Sequence, residues 1–490
     1  MLMKTVYTNG NIYTVLPEGN RVNTVVVDDG RFVYVGDASG YAKADGDTVI
    51  DLGGRFVLPG IIDAHQHWAV PCTNAGRHAN YCPIFTTPTI EAALDQMKQF
   101  VSEYPDYPFY KCIAGWKENW SRTLNRYDLD EVCPDKPFLV HDGGAHSVTS
   151  NSKMLELLGL TKDSPDPAPG HSYYGRDENG ELTGLATEWA QIAFHEALST
   201  VTHEDIVENV RSLIDYNASR GITGIYDAGS LTREEEFLDI IKEMDDAGEL
   251  KCRLSLSYTI FLQYRLKDAV KKHLAFKEKY ESENIIMDTI KLFLDGTSGE
   301  YSAYLLQPYR DRDTCGAPMP TPEQFYELMK DVNAAGLNIH MHTIGDAAAK
   351  LIIDTMERMM AEGIEIKSKI IIAHMELIRD EELAKLKDYG IYVNVTPHWA
   401  TGLGNPVKET LRLPEELYNR IYRYNTYWKT GVNVSFGADS TILPGIVGDE
   451  SWSPYYGWEI GMTRLQIGDT DESHVDHLDE RLTLEQMIKG

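Results

Sequence analysis

The stretch LPGIIDAHQH, residues 58–67, separates two kinds of pattern in this chain. Upstream lie short alternating runs, TVYTNGNIYTV (5–15), TVVVDDGRFVYVG (24–36) and TVIDLGGRFVLPG (48–60). Asp29-Gly30, set between two such runs, is a hairpin signal, so residues 1–57 read as an all-β start. Downstream, apolar β-branched runs alternate with helical patterns. Eight strand candidates follow one another: GIIDAHQH (60–67), GITGIYDAG (221–229), RLSLSYTI (253–260), DTIKLFLDG (288–296), LNIHMH (337–342), KIIIAHME (369–376), GIYVNVTP (390–397) and VNVSFGAD (432–439). Near-continuous apolar strands imply burial on both faces, as in a parallel sheet. Helices sit between most of them. Thr232 to Glu235 reads as a capping box ahead of Phe237, Ile240, Ile241 and Met244. Thr321, followed by Pro322 and Gln324, opens another helix that Gly336 closes, and Asp380 to Tyr389 is a third, stopped by Gly390. Eight alternations with polar residues recurring at strand C-terminal ends predict an α/β fold of the (β/α)8 TIM-barrel type rather than an open sheet.

A structureless connection over 68–220 is implausible inside a compact domain, so an inserted subdomain is expected after the first strand, over 69–205, within a barrel domain of 58–490. It is rich in aromatic residues (Phe109, Tyr110, Trp116, Trp120, Tyr173, Tyr174, Trp189), which by the plain reading fill its own core, and DSPDPAPG (163–170) reads as loop.

Composition closes several routes. Hydrophobic residues make up 42% and charged residues 25%, which rules out global disorder. Lys and Arg number 46 against 75 Asp and Glu, a formal net charge of −29. A chain this acidic repels phosphate backbones and anionic lipid, which argues against nucleic-acid and peripheral-membrane partners. No run approaches the ~18 apolar residues of a membrane span, and MLMKTVYTNGNIYTV has no long apolar core of a signal peptide. Six cysteines without a CxxC pair are too sparse for a disulfide scaffold and read as reduced thiols of a cytoplasmic protein.

The chemistry-bearing residues cluster at strand ends. His65 and His67, at i and i+2, point to the same face of a strand and can reach one metal ion, with Asp63 one step deeper. Lys291 lies amid a buried strand, where an amine is costly unless paired or neutral. Either it pairs with Asp295 or another acid, or burial lowers its pKa and the neutral amine captures CO2 as an anionic carbamate. His342 ends its strand, with His340 two residues deeper; His374 and Asp439 close theirs. Each of these histidines alone reads equally well as a core residue. Together they form an imidazole and carboxylate set without thiolate, which suits Zn2+, or else Mn2+ or Fe2+.

These motifs resemble the amidohydrolase superfamily, in particular the branch of N-substituted formamide deformylases. LPGIIDAHQH, GITGIYDAG, IKLFLDG with Gln307-Pro308-Tyr309, HTIGDAA (342–348), IIAHME (371–376), TPHW (396–399) and FGADS (436–440) occur in the family's order. The resemblance implies a small β-sandwich module at 1–57 and a binuclear metal centre. His65 and His67 would hold the first ion, carboxylated Lys291 would bridge both, His342 and His374 would hold the second, and Asp439 would join the first and shuttle the proton. The expected reaction is cleavage of a non-peptide C–N bond in a small-molecule amide, an N-substituted formamide or N-acyl amine, by metal-activated hydroxide. His146, His398 and Trp116 become candidate substrate contacts. The family pattern continues past LTLEQM (482–487) into strands that complete the small module, so residues 1–57 are expected to be incompletely covered. The alternatives are a cyclic-amide hydrolase of the hydantoinase or dihydroorotase kind, which shares the lysine, a purine- or pyrimidine-type aminohydrolase, and, least favoured, a non-catalytic barrel scaffold. A homodimer is the oligomer that base rates favour.

Overall fold

The structure, a computed structural model, describes residues 4–16, 21–74, 81–85, 87, 89–114, 120–142, 146–401, 412–440 and 452–490. All eight expected strands form, and they run parallel in two arcs. One arc holds, in order, a further short strand not expected from the sequence, Ile285–Ile286, then Arg253–Ser255, Ile222–Asp227 and Ile61–Gln66. The other holds Thr259–Ile260, Thr289–Phe293, Asn338–Thr343, Ile370–His374, Tyr392–Val395 and Asn433–Phe436. The third expected strand is therefore split between the arcs, and hydrogen bonds Leu256 N–Ile286 O (2.8 Å) and Lys291 N–Tyr258 O (3.1 Å) carry the pairing across the break. On the other side Asp439 N donates to His65 O at 2.8 Å and His67 N to Ser440 O at 3.0 Å, tying the last strand to the first.

The strand period of two sorts the side chains. Ile290, Leu292, Ile339, Met341, Ile370, Ile372 and Val393 pack with Phe325, Met329, Ile352 and Met356 of the covering helices in one apolar core. The alternate residues, Lys291, Phe293, His340 and His342, are left for the opposite side of the same strands. Helix Pro322–Ala334 begins as predicted: Thr321 Oγ accepts from Gln324 N, and Gln324 Oε1 accepts from Thr321 N at 2.8 Å. The predicted capping box at Thr232 does not form. Helix Glu234–Asp246 starts after Arg233 at φ +50°, because the Thr232 hydroxyl is taken by Thr73 (3.1 Å) and the Arg233 guanidinium holds Glu236 (2.7 and 2.8 Å).

The described residues between 5 and 57 form a four-stranded sheet in the order Arg31–Gly36, Thr24–Asp28, Thr5–Thr8, Thr48–Asp51 and a three-stranded sheet of Arg21–Val22, Asn11–Tyr13 and Phe56–Val57. The Asp29-Gly30 turn has both φ values positive, +48° and +72°, as a tight hairpin requires. Phe32, Val33, Val35, Val49 and Phe56 of these sheets are exposed, Phe32 by 70%.

Between the first and second strands stands a separate six-stranded mixed sheet, in the order Tyr174–Arg176, Leu182–Thr187, Ser147–Ser150, Phe138–Asp142, Tyr110–Ala114, Tyr81–Phe85. Phe109, Tyr110 and Trp120 fill its own cores, whereas Trp189 packs on Phe261 and Phe293 of the central sheets. Cys72, Cys112, Cys133, Cys252 and Cys315 are free thiols. Among the described residues no helix is long and apolar enough to cross a membrane.

Candidate metal centre

His65, His67 and Asp439 meet where the first and last strands join. Asp439 Oδ1 lies 3.3 Å from His65 Nε2 and 3.2 Å from His67 Nε2, and the three ligand atoms fall within 4.8 Å of one another. Gly437 makes this approach feasible: a Cβ there would sit 2.5 Å from the Cβ of His65. His65 Nδ1 is 3.1 Å from Asn394 Oδ1. An amide oxygen only accepts, so Nδ1 carries the proton and Nε2 presents its lone pair.

The other strand-end histidines gather around His65. Ring centroids of His65 and His374 are 4.8 Å apart, His65 and His340 4.9 Å, His342 and His374 4.7 Å. Trp399 stacks on His374 at 4.7 Å and holds its plane. Asp439 (φ +52°), His374 (+68°) and Met375 (+41°) adopt left-handed backbone without being glycine. Such strain concentrates at functional sites, where surrounding structure holds it.

Lys291 is fully buried. Burial brings its pKa down to about 7, with Asp439 and Asp227 opposing, and its Nζ has no hydrogen-bond partner. The alternative of a Lys291–Asp295 bridge is not realised, because Asp295 accepts from Ile344 N (2.9 Å), Gly345 N (2.8 Å) and Tyr304 N (2.9 Å). Burial likewise drives the imidazoles toward their neutral forms, His65, His340 and His374 well below the ordinary value and His342 to about 3, with Lys291 and neighbouring imidazoles adding to it. His65 Nε2, His67 Nδ1, His374 Nδ1, both ring nitrogens of His342 and His340, and Lys291 Nζ are buried without hydrogen bonds. Leaving one buried polar group unsatisfied costs about 1–3 kcal/mol, so this concentration of lone pairs fits divalent cations with nitrogen and oxygen donors.

Asp63, expected on the ligand face, is used differently. Its carboxylate accepts from His65 N (3.1 Å), Ala438 N (3.1 Å) and Gln66 Nε2 (2.8 Å), locking the first strand to the last. His146 reaches over from the inserted sheet: its ring lies 6.1 Å from that of His342, and its Nδ1 is 2.7 Å from Glu188 Oε2. Glu188 is fully buried at φ +46° and also accepts from Thr297 N at 3.0 Å. Burial would raise its pKa, but the His146 pairing and further hydrogen bonds bring it down to about 2. No sequence signal marked Glu188. His398 lies close by, but its Nε2 is 3.0 Å from the Ser453 carbonyl, so that nitrogen ties it to the segment ahead of helix Pro454–Thr463. Trp116 lies outside the described residues. Glu376, two residues past His374, is a buried carboxyl pushed by burial to about 7, with Tyr422 Oη 3.4 Å away.

Parallel strands that end in neutral imidazoles, a carboxylate and a buried amine define a metal-dependent hydrolase. The chain belongs to the amidohydrolase family, whose sequence profile matches residues 48–489, and is therefore a hydrolase acting on carbon–nitrogen bonds. It is 27% identical over 443 residues to the exoenzymes regulatory protein AepA of Pectobacterium carotovorum subsp. carotovorum, covering 88% of this chain and 93% of that one. It is 24% identical over 451 residues to the N-substituted formamide deformylase of Arthrobacter pascens, covering 88% and 79%. Among solved structures, an uncharacterized metal-dependent hydrolase from Pyrococcus horikoshii OT3 superposes with a TM-score of 0.69 at 21% identity, covering 99% of this chain and 90% of that one.

Proposed function

We propose that the two arcs act as one (β/α)8 barrel whose mouth holds two divalent cations, and that the enzyme hydrolyses a non-peptide amide, an N-substituted formamide or another N-acyl amine. His65, His67 and Asp439 would hold one ion, His342 and His374 the other, with carboxylated Lys291 shared between them. When bound, such ions lower the pKa of water toward neutrality and polarise a carbonyl. The observation that carries the reading is the set of buried ring nitrogens without hydrogen bonds around a Lys291 Nζ that also lacks one. Zn2+ suits a donor set without thiolate, with Mn2+ and Fe2+ as the alternatives.

The chain's own groups supply the rest. Asp439, beside both imidazoles, takes a proton from the attacking water and delivers it to the leaving nitrogen, without which an amine does not depart. His146, held through Nδ1 by Glu188 and with its ring near that of His342, is a substrate contact in this reading. His398 and Trp116 are the further substrate contacts in this reading. Trp189 and Phe293, packed with Phe261 and next to the rings of His146, His67 and His342, would suit an apolar amine substituent. A cytoplasmic setting, the expectation from the sparse cysteines of the sequence, belongs to this reading.

The experiment is a panel of N-benzyl and N-aryl formamides, acetamides and N-acyl amino acids, run against hydantoin and dihydroorotate with zinc-loaded enzyme. Turnover of the acyclic amides is expected. Preference for the charged cyclic amides would move the assignment to the cyclic-amide hydrolases, which share the buried lysine.

A further inference from the structure

His340 is not among the residues assigned to either ion, yet it is buried, 3% exposed, and neither ring nitrogen has a hydrogen-bond partner. A histidine that merely fills a core finds partners. His273, equally buried in this chain, takes the Tyr258 N–H at Nδ1 (3.3 Å) and lies 3.2 Å from the Met287 carbonyl through Nε2. His340 sits directly across the parallel ladder from Lys291, whose Nζ is likewise unpartnered. Residues paired across a ladder project to the same face, with strands about 4.8 Å apart. Tyr226 stacks on the His340 ring at 4.6 Å and the edge of His65 meets it at 4.9 Å, so the ring plane is held while its nitrogens stay uncommitted.

We propose that His340 is a positioning residue for the carboxylated form of Lys291, its ring accepting the hydrogen bond of the carbamate N–H. The inference rests on the carbamate reading of Lys291 given above. Carboxylation joins the lysine nitrogen to the carbon of CO2, releases one proton to solvent and leaves one N–H on that nitrogen. The carbamate oxygens are the donors that suit cations, which leaves the N–H wanting an acceptor, and the uncommitted ring of His340 lies across the ladder from it. A neutral imidazole has one ring nitrogen that accepts a hydrogen bond.

The test uses the whole 490-residue chain, stripped of metal and reloaded with zinc in 13C-bicarbonate. The carbamate carbon is followed by 13C NMR, with bound zinc measured in parallel. In His340→Phe, which keeps the stack on Tyr226, the bicarbonate needed for half-maximal carbamate should rise ~10-fold. His340→Gln, which restores an acceptor, should stay within ~3-fold of the parent. His340→Leu reads the same quantity should the phenylalanine variant not fold. Parent-like bicarbonate dependence in the apolar variants would overturn the role of His340 while leaving the carbamate standing. A parent protein with two zinc ions and no carbamate signal would instead overturn the reading of Lys291, and this inference with it.

Discussion

Replacing Lys291 with methionine in protein stripped of metal isolates the amine at the centre of the site. The substitution keeps a long side chain and removes the ionisable group, so the difference between parent and variant reports that group alone. In the unfolded chain the lysine titrates near 10.5, in the fold at about 7, and the cause is burial. Below pH 7 both states bind the proton and the fold bears the full cost of a buried ammonium. Between pH 7 and 10.5 the unfolded chain holds a proton that the folded one has released, so stability rises with pH. Moving the amine from 10.5 to about 7 corresponds to about 5 kcal/mol. From pH 6 to pH 10 the parent should therefore gain about 4 kcal/mol relative to Lys291→Met. Urea unfolding at a series of pH values measures it, with the slope m checked for constancy between the two proteins. In untreated protein the same substitution should lower the bound metal. Parallel pH profiles for parent and variant would refute the argument, because they would mean that Lys291 is solvated or paired in the fold.

Asp439→Asn keeps an oxygen donor but removes the proton carrier, so bound metal should persist while kcat falls ~10²-fold or more; a near-parental rate would take the proton from Asp439. Asn394→Leu deletes the acceptor that sets the His65 tautomer, and metal affinity should drop ~10–100-fold, read by competition with a chromogenic chelator. Affinity unchanged by that substitution would show that the ring is oriented by packing instead.

What could be read ahead of the fold follows from parity. In TIKLFLDG and LNIHMH every second residue is aliphatic and joins the helix-facing core, so Lys291, His340 and His342 stand out as polar side chains with nowhere to go but the other face. His65 and His67 declare themselves by the same rule. Asp63 obeys it too, yet its carboxylate bonds to backbone amides of its own strand and of the residue before Asp439, a use that only the meeting of two chain segments creates. Glu188 was invisible for a related reason: its role depends on a left-handed backbone and on His146 and Thr297, which chain proximity does not supply. Thr232 failed as a cap because a hydroxyl on a neighbouring helix competed for it. For Lys291, His340, His342 and Asp63 the local pattern marks groups that are costly to bury, and tertiary contacts decide what satisfies them. Among the described residues unsatisfied polar atoms occur in several places, but at the strand ends several imidazole nitrogens and the Lys291 amine are unsatisfied side by side, and that grouping, which no single motif shows, favours cations there.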